Sequence, residues 1–510
     1  MFRETIVFAL TICVSMSAGR SIFRAAVYEH AVILPPERDV WVNRSVALET
    51  IMKNLDVYKQ QAVKAGREKV DILVFPEDGV YGVGFSRKGI ESYLEYIPEP
   101  EENWNPCANP EKYNDTEIQR ELSCMASQAA LYLVANIGDN QPCDSAIDPK
   151  CPTDGHYQFN TNVVYDPRGY LVAKYHKINL FFEFQFNPPP VPKAVTFETN
   201  FGKFAVFTCF DILFKNPAIE SLEPDVGNVV FPTAWMDALP LLAAIQYHSA
   251  FAAGAKVNFL AANINFPFFK FQGSGIYSPT GFAAYRYNET HGGKLLIANL
   301  PVITTNNFNQ MNYMVNSVDA LVVTDTPSTF NSSVFHDPFT FVPVTGESGS
   351  LKVCHNNLCC YIDFERNITS DESEFYAFGA FDGLHTYDGT YYLQICTLLK
   401  CKSTSRSSCG EPTKDAKTIF TQVKIQGTFG TPYISPEILL TQKSNLELAP
   451  SSRWTYSNGV LDSTHGFDVP LLSAGLFARD YDRDMINSSG RLSHSLSIVM
   501  TAMLVVNLSF

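Results

Sequence analysis

The stretch Val70-Asp71-Ile72-Leu73-Val74-Phe75-Pro76-Glu77-Asp78-Gly79 decides how the first half of the chain is read. Val70–Phe75 is a short apolar run rich in branched residues. Gly66 precedes it and a Pro-Glu-Asp-Gly turn follows, the pattern of a strand buried on both faces. Upstream, Ala25–Tyr28 reads as another strand, while Val46, Leu48, Ile51, Met52 and Leu55 recur at helical spacing until Gly66 closes the helix. Downstream, Leu131–Ile137 is a second buried strand. Thr161–Tyr165 and Tyr170–Tyr175 flank Asp166-Pro167-Arg168-Gly169, a turn signal that makes them a hairpin. Phe204–Cys209, Asn228–Phe231 and Val257–Ala261 continue the series, with a helix predicted over Pro240–Gly254. Alternating β and α to about Asn299 predicts a layered α/β domain.

Beyond Asn299 the texture changes. Residues 301–335 are rich in Asn, Thr and Ser, and short aromatic strands with six cysteines and no long helical pattern follow. The reading is a layered α/β domain at 20–305, a linker at 306–335 and a second, smaller β-rich domain, stapled by disulfides, at 336–485. A chain of 510 residues with 46% hydrophobic and 18% charged side chains has material for large cores. Its 52 acidic against 38 basic residues give a net charge of −14, a field that repels nucleic acid. No apolar run approaches twenty residues, which excludes a multi-span membrane protein.

Both ends read as processing signals. Residues 1–19 combine Arg3, an apolar run over Ile6–Met16 and small residues before a cut after Ser17 or Gly19, a secretory signal peptide. At the other end, small residues over Asn487–Gly490, a polar spacer and the apolar tail Leu496–Phe510 form a GPI-attachment pattern over 486–510, with Ser488 or Ser489 as the attachment residue. The expected location is the outer face of the cell membrane, held by a lipid anchor alone, with secretion as the alternative.

The cysteines agree with secretion. Of twelve, Cys13 leaves with the leader, and ten of the remainder fall in clusters: Cys107 and Cys124, Cys143 and Cys151, then Cys354, Cys359, Cys360, Cys396, Cys401 and Cys409. Five disulfides and one free thiol, Cys209, is the economical account; zinc on the last six is the competing one. Sequons at Asn43, Asn114, Asn288, Asn331 and Asn367 mark expected glycosylation sites.

A free thiol in a secreted chain invites mispairing and oxidation, so its retention points to use as a nucleophile. Two other polar groups stand at predicted strand ends, where open α/β folds build their active crevice: Glu77 after Val70–Phe75, and Lys177 in Tyr175-His176-Lys177-Ile178-Asn179-Leu180. Three segments then carry a resemblance: FPEDGVYG around Glu77, KYHKINLFFEFQFN around Lys177 and FAVFTCFDILF around Cys209. They resemble the nitrilase superfamily of carbon–nitrogen hydrolases. Together with WNPC, VFPTAWM, GSGIY, LCCY, GAFDGLHT and YYLQICTLLKC, they resemble most its vanin (pantetheinase) and biotinidase branch, over roughly residues 23 to 485.

That resemblance implies an αββα sandwich with an appended β-rich base domain, and a catalytic triad on Glu77, Lys177 and Cys209. It places Glu183 where it would orient Lys177, and leaves Trp235 as either a pocket wall or a core aromatic. The implied reaction is hydrolysis of a small-molecule linear amide through a thioester on cysteine, with no metal or organic cofactor. Pantetheine is the favoured substrate on the strength of the GPI-like tail and the short connector. Biocytin is the alternative, since LPLLAAI and YQFNTNVV look more biotinidase-like. A catalytically silent surface protein acting by adhesion is the third reading, and the intact triad speaks against it.

Overall fold

The computed structural model describes residues 20–305, 328–367, 374–463 and 465–487. The expected leader, most of the linker, and Ser488 and Ser489 with the tail lie outside the described residues.

Two six-stranded sheets face each other in the first unit. One has the order β12-β1-β2-β3-β4-β5, built from β1 (Ile22–Glu29), β2 (Ile72–Val74), β3 (Tyr132–Pro142), β4 (His156–Tyr165), β5 (Leu171–His176) and β12 (Lys294–Pro301). The other has the order β11-β10-β9-β8-β7-β6, from β6 (Val195–Thr199), β7 (Gly202–Val206), β8 (Val226–Thr233), β9 (Asn258–Asn263), β10 (Ser274–Ser278) and β11 (Gly281–Arg286). At the centre of each sheet the strands are parallel, β1-β2-β3 and β7-β8-β9. The remaining pairs are antiparallel, including the expected β4–β5 hairpin.

Strand alternation explains why the central strands read as unbroken apolar runs. Phe23, Ala25 and Val27 of β1 face the second sheet and pack with Phe204, Val206 and Val229, whereas Ala26 and Tyr28 face the outer helices. Those helices are α1 (Arg44–Arg67), capped by the Asn43 side chain on the Val46 N–H, and α3 (Glu117–Ala129). The four-residue α2 (Arg87–Ile90) lies between them in sequence. The second sheet is covered by α4 (Ala244–Ala255). This completes an αββα sandwich, the fold expected. Helix α4 starts four residues later than the sequence pattern suggests, because Asp237 Oδ1 takes the Ala244 N–H at 2.8 Å and fixes its first turn there.

The second unit is a sandwich of two wholly antiparallel sheets. Seven strands run β13-β14-β17-β18-β24-β20-β21: β13 (Phe330–Val334), β14 (Asp337–Val344), β17 (Tyr376–His385), β18 (Tyr391–Lys400), β24 (Leu471–Arg479), β20 (Ile434–Gln442) and β21 (Asn445–Glu447). Five run β15-β16-β19-β23-β22: β15 (Ser348–His355), β16 (Leu358–Asn367), β19 (Ile419–Gly427), β23 (Val460–Ser463) and β22 (Thr455–Ser457). The first of these strands, β13, lies within the stretch read as linker; Phe330 stacks on Phe341 across the β13–β14 ladder.

Five disulfides form, Cys107–Cys124, Cys143–Cys151, Cys354–Cys359, Cys360–Cys396 and Cys401–Cys409, and Cys209 is the free cysteine. The neighbours Cys359 and Cys360 point to opposite faces of β16. The first pairs with its register partner on β15; the second crosses the core to β18 and ties the two sheets together.

The two units pack directly on each other. Tyr247 of α4 packs on Phe477 of β24, and Gln246 donates to the Ser473 hydroxyl at 3.1 Å. Backbone approaches so closely that a Cβ on Gly254 would lie 2.6 Å from the Ile434 carbonyl oxygen.

Candidate active site

Glu77, Lys177 and Cys209 come from three different strand ends, and each is placed by its own backbone. Glu77 follows β2, where Phe75 N–H bonds the Val134 carbonyl at 2.9 Å. Lys177 follows β5, its N–H bonded to the Asn160 carbonyl at 2.8 Å. Cys209 opens the 3-10 turn Cys209–Leu213 that ends the β7 segment. All are buried; Glu77 is 1% and Lys177 2% exposed, so their charges must be matched inside the protein.

Lys177 meets that demand by sitting between two carboxylates. Its Nζ is 2.7 Å from Glu77 Oε1 and bonds Glu183 Oε2 directly. Asn160 Nδ2 bridges the same two acids, at 2.8 Å to Glu77 Oε1 and 2.6 Å to Glu183 Oε1. The Ala234 N–H completes Glu77 at Oε2, 2.8 Å away.

Behind these charges runs a ladder of buried amides. Asn136 Nδ2 donates to Asn160 Oδ1 at 2.5 Å and to Asn162 Oδ1 at 2.9 Å, and Asn162 Nδ2 donates to the Thr208 hydroxyl at 2.8 Å. Thr208 is the residue before Cys209, so hydrogen bonds lead from Glu77 across β3 and β4 to the residue that precedes the thiol. The signal for this ladder is present in sequence, as asparagines interrupting the apolar runs LYLVANI and YQFNTNVV.

Asp211 fixes the cysteine turn from the other side. Its carboxylate accepts from Tyr175 OH at 2.6 Å, from the Asn179 N–H and Nδ2 at 2.8 Å each, and from the Thr208 N–H at 3.2 Å. Tyr175 and Asn179 lie two residues either side of Lys177, so one acid ties the lysine segment to the cysteine turn. Burial pushes the Asp211 carboxyl up to about 6. Asp78 is buried with its Oδ1 unpartnered.

Left-handed backbone occurs at three positions of the cluster. Cys209 has φ +47°, Asp78 +55° and Phe182 +52°, all in the left-handed region that L-residues avoid. Cys209 is the free thiol, and Asp78 and Phe182 are the immediate neighbours of Glu77 and Glu183.

The electrostatics favour a neutral thiol beside a base. Burial and the Glu77 charge push the Cys209 thiol well up, against the weaker pull of Lys177. Burial alone would lower the Lys177 ammonium, but Glu183 and Glu77 outweigh it and hold the pKa well above the usual range. Burial likewise raises Glu183 against Lys177. The cluster can accept one proton from a thiol and return it.

Trp235 is buried; its Nε1 donates to the Leu242 carbonyl at 2.9 Å and its ring stacks on Tyr247. Of the sequons, Asn43, Asn114, Asn331 and Asn367 are exposed, while Asn288 is half-buried with its Oδ1 accepting from Thr290. Among the described residues no group of His, Cys, Asp and Glu is arranged to hold a metal ion. Nor is any helix among them long and apolar enough to cross a membrane.

Residues 24–248 match the carbon-nitrogen hydrolase family, and residues 328–484 match the vanin C-terminal domain. A pantetheinase of Mus musculus is 46% identical over 497 residues, covering 96% of this chain and 95% of that protein. A pantetheinase of Homo sapiens is 45% identical over 493 residues, with coverage of 96% and 94%. A biotinidase of Takifugu rubripes is 42% identical over 477 residues, with coverage of 89% and 94%. Relatives this similar over both units place the chain as an enzyme: it belongs to the vanin and biotinidase family of the carbon–nitrogen hydrolase, or nitrilase, superfamily.

Proposed function

We propose that this chain hydrolyses the linear amide of pantetheine to pantothenate and cysteamine, with Cys209 as nucleophile. The observation that carries the substrate is the identity to pantetheinases, 46% and 45% along nearly the whole chain. The buried Glu77–Lys177–Cys209 cluster supports the chemistry. Glu77 takes the Cys209 proton as sulfur bonds to the amide carbonyl carbon. Lys177 and the Phe210 N–H, the backbone donor after Cys209, stabilise the oxyanion. The C–N bond breaks as Glu77 delivers the proton to the departing cysteamine nitrogen, leaving a thioester. Water then gives a proton to Glu77 and adds its oxygen to the thioester carbon. The C–S bond breaks, and the proton returns to Cys209. Glu183 holds Lys177 throughout.

The catalytic machinery is assigned to 20–305 and the β-rich partner to the unit that runs from β13 to about 485. Five disulfides among the described residues support an oxidising compartment. We assign the mature protein to the outer cell surface, glycosylated and GPI-anchored at Ser488 or Ser489. A phosphatidylinositol-specific phospholipase should then release the activity from intact cells; activity that stays on the cells, or is soluble beforehand, rules the anchor out.

Incubation with pantetheine and with biocytin, following cysteamine and lysine release, tests the substrate. Pantetheine should have the higher kcat/KM. The reverse order assigns the chain to biocytin, the reading that the 42% identity to a biotinidase supports. Turnover of neither removes both.

A further inference from the structure

The turn that carries Cys209 is gripped by the second unit as well as by its own. Its last carbonyl, on Leu213, lies where the end of a helical turn leaves carbonyls without partners inside the turn. It accepts a hydrogen bond at 2.7 Å from Nε of Arg479, the final residue of β24. The rest of that guanidinium is committed within the second unit. Nη1 bonds the Tyr392 carbonyl, Nη2 bonds Asp484 Oδ2 at 2.6 Å, and the plane lies between the rings of Tyr391 and Tyr481 at 5.1 and 4.7 Å. Arg479 is 2% exposed, so it is a fixed fork with one prong reaching across the junction. The same surface touches the turn a second time: the Tyr391 ring lies 6.3 Å from Phe210 and 6.1 Å from Phe214, the residues flanking the turn's interior.

We propose that Arg479 is a positioning residue for the Cys209 nucleophile, acting through the Leu213 carbonyl, so that the second unit sets the reactivity of a site it does not itself line. The physical need is evident in the backbone. A cysteine at φ +47° occupies a conformation that costs about 1–2 kcal/mol and lasts only where the surroundings impose it. Asp211 anchors the start of the turn and Arg479 its end. With the end released, the turn relaxes toward ordinary backbone and the sulfur moves off its line to Glu77 and the substrate carbon.

This inference rests on Cys209 as the nucleophile, and the experiment separates the two. In the full chain, Cys209→Ala, Arg479→Lys, Asp484→Asn and Lys215→Ala are compared for kcat and KM on pantetheine. The rate of Cys209 alkylation by iodoacetamide is measured separately. Arg479→Lys keeps the charge but not the planar fork, and should lower kcat about tenfold with KM within about twofold. Alkylation should slow in parallel, whereas simple loss of stability would speed it by exposing the buried thiol. Lys215→Ala breaks only the exposed 3.1 Å pair with Asp482 across the same junction, and should change neither rate. A folded Arg479→Lys with both rates within about twofold of wild type overturns the role of Arg479. If it does not fold, Asp484→Asn, which loosens the fork from behind, should show the same signature at about threefold; no change there overturns the proposal equally. Activity surviving in Cys209→Ala would instead remove the nucleophile assignment itself.

Discussion

Two buried cations in this molecule are each clamped between two carboxylates, and only one of them faces a reactive group. Lys177 lies between Glu77 and Glu183 in the first unit. His385 lies between Asp337 and Asp388 in the second, at 2.7 Å to each, with Tyr391 OH adding a bond to Asp388 at 2.9 Å. In both, burial opposes the charge and the flanking acids overcome it; His385 is raised to about 9. The difference lies in what is left over. Around His385 the two acids are occupied by the ring and a tyrosine. Around Lys177 the acid Glu77 also stands in the field of a neutral thiol held in strained backbone. The two triplets share one electrostatic design, and the proposed catalytic role of the first rests on the free thiol beside it.

The comparison breaks most directly at Cys209. Cys209→Ala should cost at least about 10⁴-fold in kcat while leaving the melting temperature within a few degrees. Lys177→Ala and Glu77→Gln should be nearly as inactive, and each combined with Cys209→Ala should add almost nothing, because the residues act as one unit. Initial rates on purified single and double variants decide this; activity within about tenfold of wild type ends the assignment.

Smaller effects sharpen it. Glu183→Gln keeps the shape but removes one charge from Lys177, and a fall in kcat of about 10²-fold is expected. Asp211→Asn replaces one acceptor oxygen with a donor facing the donors of Tyr175, Asn179 and Thr208. A kcat loss of about tenfold should follow, with KM little changed. A shift confined to KM would place Asp211 in substrate binding instead.

The smallest effect on turnover belongs to the second triplet. His385→Gln should change kcat by less than about threefold yet lower stability by roughly 2 kcal/mol at neutral pH. The protonated ring stabilises the fold in full below its ordinary value of 6.5, and that contribution is lost as pH rises through about 9. Thermal unfolding of both proteins across pH 6 to 10 should converge at the alkaline end. Curves that stay parallel would show that the ring stabilises by packing rather than by charge.

Much of this was legible in the sequence because it is local. The Asp166-Pro167-Arg168-Gly169 turn announces the β4–β5 hairpin, and Glu77 and Lys177 declare themselves as charges stranded after buried strands. Cys209 is exposed by arithmetic, as the thiol without a partner. What sequence withholds is coupling between distant positions. Nothing local ties Asn136 to Asn160, Asp211 to Tyr175, or Arg479 to Leu213; each pair meets only when strands from separate segments align. Cysteine pairing in the second unit has the same limit. Cys359 and Cys360 are adjacent in sequence, and only the pleat of β16 sends one to β15 and the other through the core.

The disulfides are all short-range in the chain, with separations of 17, 8, 5, 36 and 8 residues, and none bridges the two units. This bears on biosynthesis. A chain emerging N-terminus first completes Cys107–Cys124 and Cys143–Cys151 from cysteines already present before Cys209 appears. No further cysteine follows until Cys354. In a chain delivered to an oxidising lumen, as proposed above, the unpaired thiol would arrive with Cys107, Cys124, Cys143 and Cys151 able to pair among themselves and the later cysteines not yet made. During that interval β7 and β8 can close around it. Order of synthesis would then guard the sulfur that the finished fold keeps buried.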